Sequence, residues 1–141
     1  MLILFDFENI QNVHYQAVKQ LVIQKFGRAD WEQAKKIGAV AEGNEPSCLR
    51  DWNSNIMIYR VINRPQAADD KLVEIAEKEK GNRCVVVSND NVLFWRIQAS
   101  RIEIRNKYVS LRGVKKTQTL RICFQNEELV LENPNPHKKE K

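Results

Sequence analysis

Four short apolar runs recur along this chain, each of strand length and each followed by a stretch with helical or turn character, and this rhythm limits the folds open to it. The runs are Leu2-Ile3-Leu4-Phe5, the weaker Ile37-Gly38-Ala39-Val40-Ala41, the β-branched Ile56-Met57-Ile58-Tyr59-Arg60-Val61-Ile62, and Cys84-Val85-Val86-Val87. Near-continuous apolar strands are those covered on both faces, as in a parallel sheet. Between them, Val13, Ala17 and Leu21, with Val18 and Val22 beside them, form a helical stripe that ends near Gly27. Pro46 to Trp52 reads as a short helix with proline in its first turn. Ala68, Leu72, Ile75 and Ala76 line one face of the next helix, with Glu74 and Lys78 spaced to pair on its exposed side and Gly81 closing it. Val92, Leu93, Phe94 and Ile97 predict a short helix, and Ile102 and Ile104, alternating with polar neighbours, one more strand. Strand and helix in alternation define a three-layer, doubly wound, mainly parallel α/β sheet with right-handed crossovers.

Beyond Lys107 the texture changes. Tyr108 to Leu111, Leu120 to Phe124 and Leu129 to Leu131 alternate at period two, which predicts short antiparallel strands appended to a sheet edge. Leu120, Ile122 and Phe124 would cover the sheet or form a homodimer edge. Residues 1–132 then make a single domain, and 133–141, with two prolines and four charges, a disordered tail. A chain of 141 residues buries enough surface to fold without crosslinks. Cys48, Cys84 and Cys123 lack C-x-x-C spacing or a nearby histidine pair, which argues for reduced thiols over a disulfide frame or a zinc site. There is no basic leader before an apolar core and no apolar run near the ~18 residues of a membrane span, so the expectation is a cytoplasmic protein with no membrane partner.

The first apolar run stops at Asp6. A buried strand has little reason to end on a carboxylate unless the tip of the sheet needs one. Asp69 and Asp70 open the helix after the Ile56 run, and Asp90 follows the Cys84 run. Open α/β sheets bind ligands beyond the carboxyl ends of their strands, where strand order reverses, so Asp6, Asp69 and Asp90 are expected to converge there. Two carboxylates about 5 Å apart repel by roughly 3 kcal/mol at an effective dielectric near 20, which demands a shared proton or a divalent cation. Ligands that are all oxygen favour a hard ion, Mg²⁺ or Mn²⁺. Singly, each residue has a structural alternative: Asp69 as a first-turn helix acid, Asp90 as a turn or cap residue, Asn9 as a helix cap. The set, not any member, points to a metal.

Charge adds a second clue. The formal net charge is +5, and between Asn91 and Gln125 eight Lys and Arg face one acid, Glu103. Arg96, Arg101, Arg105, Lys107, Lys115 and Lys116 are the candidates for a nucleic-acid-binding patch, a merely solvated surface being the alternative reading of the same charges. Phe94, Trp95 and Tyr108 interleave with them, either as stacking surfaces for unpaired bases or as core. Trp31 and Trp52 read as packing residues, and His14 and His137 have no spacing that suggests catalysis.

The strand ending Asp6-x-x-Asn9, the helix opening Ala68-Asp69-x-x-Leu72 and the strand end Val85-Val86-Val87-Ser88-x-Asp90 together resemble the NYN domain of the PIN-like nuclease superfamily, over about residues 1–105. The resemblance implies a parallel sheet with acids clustered at one end, binding Mg²⁺ or Mn²⁺ and cleaving RNA, as an endoribonuclease does. It implies Asp6, Asp69 and Asp90 as the catalytic metal ligands, with Asp70 as an extra ligand or a neighbour. Asn9 and Ser88 would orient a water or a phosphate; Arg64 and Lys71, close to these acids in sequence, would contact backbone phosphates or simply lie on a solvated surface. The family usually reads Ser-Gly-Asp-x-Asp-Phe where this chain has Asn89 and Val92, so one acid is missing. Asp70 or Glu8 could supply the charge and Asn91 a neutral oxygen; the alternative is a degenerate module that binds RNA or protein without cutting. Phosphoryl transfer of the haloacid-dehalogenase type also places an aspartate after its first strand, but wants a second one where Glu8 stands.

Overall fold

A computed structural model describes residues 1–10, 14–42, 47–51, 56–79, 81–108, 119–125 and 128–132, with side chains for all of these except 49–51 and 102–108. Strand β1 (Leu2–Asp6) is buried along its whole length. It runs inside the sheet, parallel to β2 (Lys35–Ala41) on one side and to β5 (Cys84–Val87) on the other. Strand β4 (Ile56–Val61) lies parallel outside β2, and β6 (Thr119–Gln125) parallel outside β5. The two edges, β3 (Ser47–Asp51) and β7 (Glu128–Glu132), are antiparallel to their neighbours. The seven-stranded order is β3-β4-β2-β1-β5-β6-β7.

Successive residues of a strand point to opposite faces, and this period sorts β1 and β5 between two cores. Ile3, Phe5, Val85 and Val87 pack with Val18, Val22 and Trp31 of α1 (Tyr15–Phe26) and α2 (Arg28–Gln33). Leu2, Leu4, Cys84 and Val86 pack with Leu72, Ala76, Leu93 and Ile97 of α3 (Ala67–Lys78) and α4 (Asn91–Tyr108). The chain leaves β1 toward β2 and β4, then returns through α3 to β5 on the opposite flank. Strand order therefore reverses between β1 and β5, the position where open α/β sheets bind ligands. Among the described residues no helix is long and apolar enough to cross a membrane.

Several local expectations give way to tertiary pairing. The segment expected as a helix from Pro46 to Trp52 contains β3, Ser47–Asp51, because β4 offers an open edge whose ladder outweighs a weak local preference. Ile102 and Ile104 belong to α4, an 18-residue helix, rather than to a strand. The reason is Arg101: it is fully buried and continues the stripe Leu93, Ile97, Arg101 at i, i+4, i+8, so a charged residue occupies a core position and disguises the helical period. Strand β6 is not an appended antiparallel strand but extends the parallel ladder of β5; β7 alone forms a hairpin with it. Leu120 and Ile122 are buried under the α1 layer, joined by Phe124, so this face covers the sheet. In α1, Val18 and Val22 are buried whereas Ala17 is exposed. Gly27, at φ 99°, ends that helix with its N–H donating to Ile23 O at 2.8 Å. Helix α2 had no clear periodic signature and is held by buried Trp31. Tyr108 ends α4; residues 109–111, Trp52 and the tail 133–141 lie outside the described residues.

Candidate metal centre

Asp6 takes the next place on the face already shown by Leu2 and Leu4, which turns its carboxylate toward the α3–α4 layer. Ser88 does the same one step beyond Cys84 and Val86, and its hydroxyl donates to Asp6 Oδ2 at 2.6 Å. Asp90 caps α4: its Oδ1 accepts the Leu93 N–H at 3.1 Å, while its own N–H donates to Ser88 Oγ at 2.9 Å. Asp69 projects from the first turn of α3. One carboxylate oxygen from each of Asp6, Asp69 and Asp90 lies within 4.8 Å of the others. Asp90 is thus both a cap and a member of the cluster, since a carboxylate accepts at two oxygens.

The electrostatics follow from this crowding. Burial pushes the Asp6 carboxyl above the ordinary carboxylate value of 3.8, Asp90 and Glu8 add to the rise, and the Ser88 hydroxyl and the Glu8 amide oppose it. Asp69 is pushed up to about 6, by burial first and then by the charges of Asp6 and Asp90, with Arg96 pulling the other way. Asp6 is 2% exposed, and its Oδ1 has no hydrogen-bond partner among the described residues. A buried acceptor left unpaired costs about 1–3 kcal/mol, more when charged. A buried carboxylate with an orphaned oxygen, gathered with two further carboxylates into an all-oxygen donor set, fits a hard divalent cation.

The turn after β1 is fastened on both sides. Asn9 and Ile10 donate their N–H groups to Asp6 O at 3.0 and 2.7 Å. Asn9 Oδ1 accepts the Asn89 N–H at 3.0 Å, and Asn89 Oδ1 accepts the Phe124 N–H at 2.6 Å. Asn9 therefore staples the β1–α1 turn to the β5–α4 turn, instead of capping a helix. Glu8 Oε1 accepts the Ala41 N–H at the end of β2, at 3.3 Å. One contributor escaped the sequence reading: the Phe7 ring lies over Gly38, where an added Cβ would come within 2.2 Å of Phe7 Cε2. A lone glycine inside an apolar run, the mark of a close approach, was the available clue.

The remaining candidates divide. Asp70 stands outside the cluster; its carboxylate meets Arg96 at 2.8 Å and Arg64 at 3.6 Å, and Arg96 above all holds it below the usual carboxylate range. Lys71 pairs with Glu74 at 3.3 Å, with its ammonium 4.8 Å from the centre of the Tyr59 ring. Asn91 accepts a hydrogen bond from Arg121. Arg101 is not part of a nucleic-acid patch: it is fully buried and donates to Thr119 Oγ1 at 3.1 Å, to the carbonyls of Ala76 and Glu79 at 3.2 Å, and to that of Asn82. Phe94 is core, with Trp95 packed against the same cluster. The side chains of Arg105 and Lys107, and residues Lys115 and Lys116, lie outside what the structure describes.

Fold and site together define an α/β protein whose mostly parallel seven-stranded sheet carries, at its carboxyl edge, an acid cluster able to hold a metal ion. No protein-family model, curated protein or solved structure matches the chain.

Proposed function

We propose that this protein is a metal-dependent ribonuclease of the PIN-like, NYN type, with Mg²⁺ or Mn²⁺ held by Asp6, Asp69 and Asp90. The observation that carries this reading is the convergence of buried Asp6, whose Oδ1 has no hydrogen-bond partner among the described residues, with the carboxylates of Asp69 and Asp90 at the switch point of the sheet. When bound, such a cation polarises a scissile phosphate and lowers the pKa of a coordinated water. The chain's own residues then have distinct tasks. Ser88 holds the rotamer of Asp6 by donating to Oδ2, which leaves Oδ1 without a hydrogen-bond partner among the described residues. Asp69 must give up its proton before it can act as a ligand. Arg96, held by Asp70 and close enough to Asp69 to offset its shift, supplies positive charge for the non-bridging oxygens of a phosphate. The net charge of +5 favours a polyanionic substrate over a cationic one.

End-labelled RNA incubated with the protein and Mn²⁺ or Mg²⁺ is expected to be cut, with cutting lost in chelator and in Asp69→Asn. Retention of RNA binding with no cleavage under any metal condition would contradict the enzyme reading. That outcome would favour a degenerate RNA-binding or protein-interaction module, for which Val92 speaks: at 64% exposed beside Asp90, it presents an apolar surface where the resembled family carries an acid.

A further inference from the structure

The loop from β4 to α3 opens a groove that the acid cluster does not use. Its apolar wall is Val61, Ile62 and Ala67, its cations are Arg64 and Lys71, and it encloses about 430 Å³, inside the range of about 300–1,000 Å³ typical of small-ligand sites. Ile62 is 47% exposed, one of two large apolar side chains so exposed among the described residues. The groove adjoins the acid cluster through the first turn of α3, where Asp70 lines the groove and Asp69 belongs to the cluster. Asp70 holds Arg64 and Arg96 side by side, yet these are 61% and 37% exposed. A guanidinium carries five N–H donors, so both still present donors to solvent. Within the lining Arg64 and Lys71 balance Asp70 and Glu74, and the surplus positive charge comes from Arg96, which reaches Asp70 from α4 at 2.8 Å. Gln66, the one non-glycine residue with positive φ (62°) among those described, turns the chain between Arg64 and the helix.

We infer that this groove receives one unpaired nucleotide of a single-stranded RNA, with its base on Val61 and Ile62 and its phosphate at Arg64 and Arg96; the inference rests on the reading of the acid cluster as an RNA-cleaving site. An apolar recess flanked by guanidiniums complements a base joined to a phosphate. A base already paired and stacked in a duplex cannot enter it, so the groove selects single strands.

The test is fluorescence anisotropy in chelator, so that neither an ion nor cleavage enters the measurement. The probes are a short labelled oligouridine, an abasic ribose-phosphate strand of equal length, and a blunt RNA duplex. The wild-type protein is expected to bind oligouridine about fivefold more tightly than either comparison strand. Ile62→Ser should erase that preference, whereas Arg64→Gln should weaken oligouridine and the abasic strand alike. Equal affinity of the wild type for oligouridine and the abasic strand, equal affinity for the duplex, or an undiminished preference in Ile62→Ser would overturn the inference. Because the wild-type comparison needs no variant, misfolding of Ile62→Ser would leave the test decisive. If base preference holds but Mn²⁺ never yields cleavage, the subsite stands and the enzyme reading alone falls.

Discussion

Asp6 combines near-complete burial with a carboxylate oxygen that accepts no hydrogen bond among the described residues. In the ion-free protein this charge opposes folding, because burial and the charges of Asp90 and Glu8 all disfavour the ionised form. Asp6→Asn keeps an acceptor for the Ser88 hydroxyl while removing the charge. It should raise the thermal midpoint in chelator by a few degrees, roughly the effect of 1 kcal/mol in a domain of this size; a lower midpoint would count against the charge-crowding argument. Asp69 supplies a pH prediction. Its folded-state carboxyl titrates near 6 against an ordinary 3.8, so between those values the folded chain holds more proton than the unfolded one. This group's contribution to ion-free stability therefore falls as pH rises through that window and is fully unfavourable above it. An ion reverses the trend, since it must displace that proton. The gain in thermal midpoint on adding Mn²⁺ should grow from about pH 5 to about pH 7.5, with affinity rising up to about tenfold per unit below 6. A pH-independent gain would exclude Asp69 as a ligand.

At the scale of elements, two contacts hold the frame around the site. Phe7 lies over Gly38 of β2 and stacks on Phe5 with ring centres 5.6 Å apart, which fixes the first residue after Asp6. Gly38→Ala must displace that ring. The expected cost is about 1–3 kcal/mol by urea denaturation, with weaker Mn²⁺ binding as the turn carrying Asp6 and Glu8 loosens. Arg101 ties α4 to the C-terminal end of α3, to Asn82 before β5 and to Thr119 at the start of β6. Arg101→Met would remove the side-chain donor from those carbonyls, of which Glu79 O keeps the Asn82 N–H at 3.0 Å, and should cost about 3 kcal/mol while sparing Mn²⁺ affinity. A neutral result would show that solvent replaces those donors. These contacts also explain what could be read from residue order. The apolar runs of β1, β4 and β5 are legible because burial on both faces writes itself directly into composition. The stripe of α4 is broken at Arg101, whose burial depends on the backbone carbonyls of Ala76, Glu79 and Asn82 and on the Thr119 hydroxyl, all distant in sequence. Strand β3 exists because β4 has a free edge, a fact that no window around Ser47 contains.

At the scale of the molecule, the acids at positions 6, 69 and 90 meet because each follows or opens an element at the same edge of one sheet. That much was legible, since an acid closing a buried strand in an alternating α/β chain has one place to point. The separation of Asp69 from Asp70 was not legible. Adjacent residues on a helix face different directions, and only the packing of α4 decides that Arg96 claims one of them. The basic balance proved divisible in the same way: Arg96 flanks the site and Arg101 holds the core. The account stands on these acids sharing one hard cation, and isothermal titration of the ion-free protein with Mn²⁺ tests this most directly. Saturable binding to the wild-type chain that is abolished in Asp6→Asn and in Asp69→Asn is the result expected. Binding of undiminished affinity in both variants, or no binding to the wild type, would contradict it.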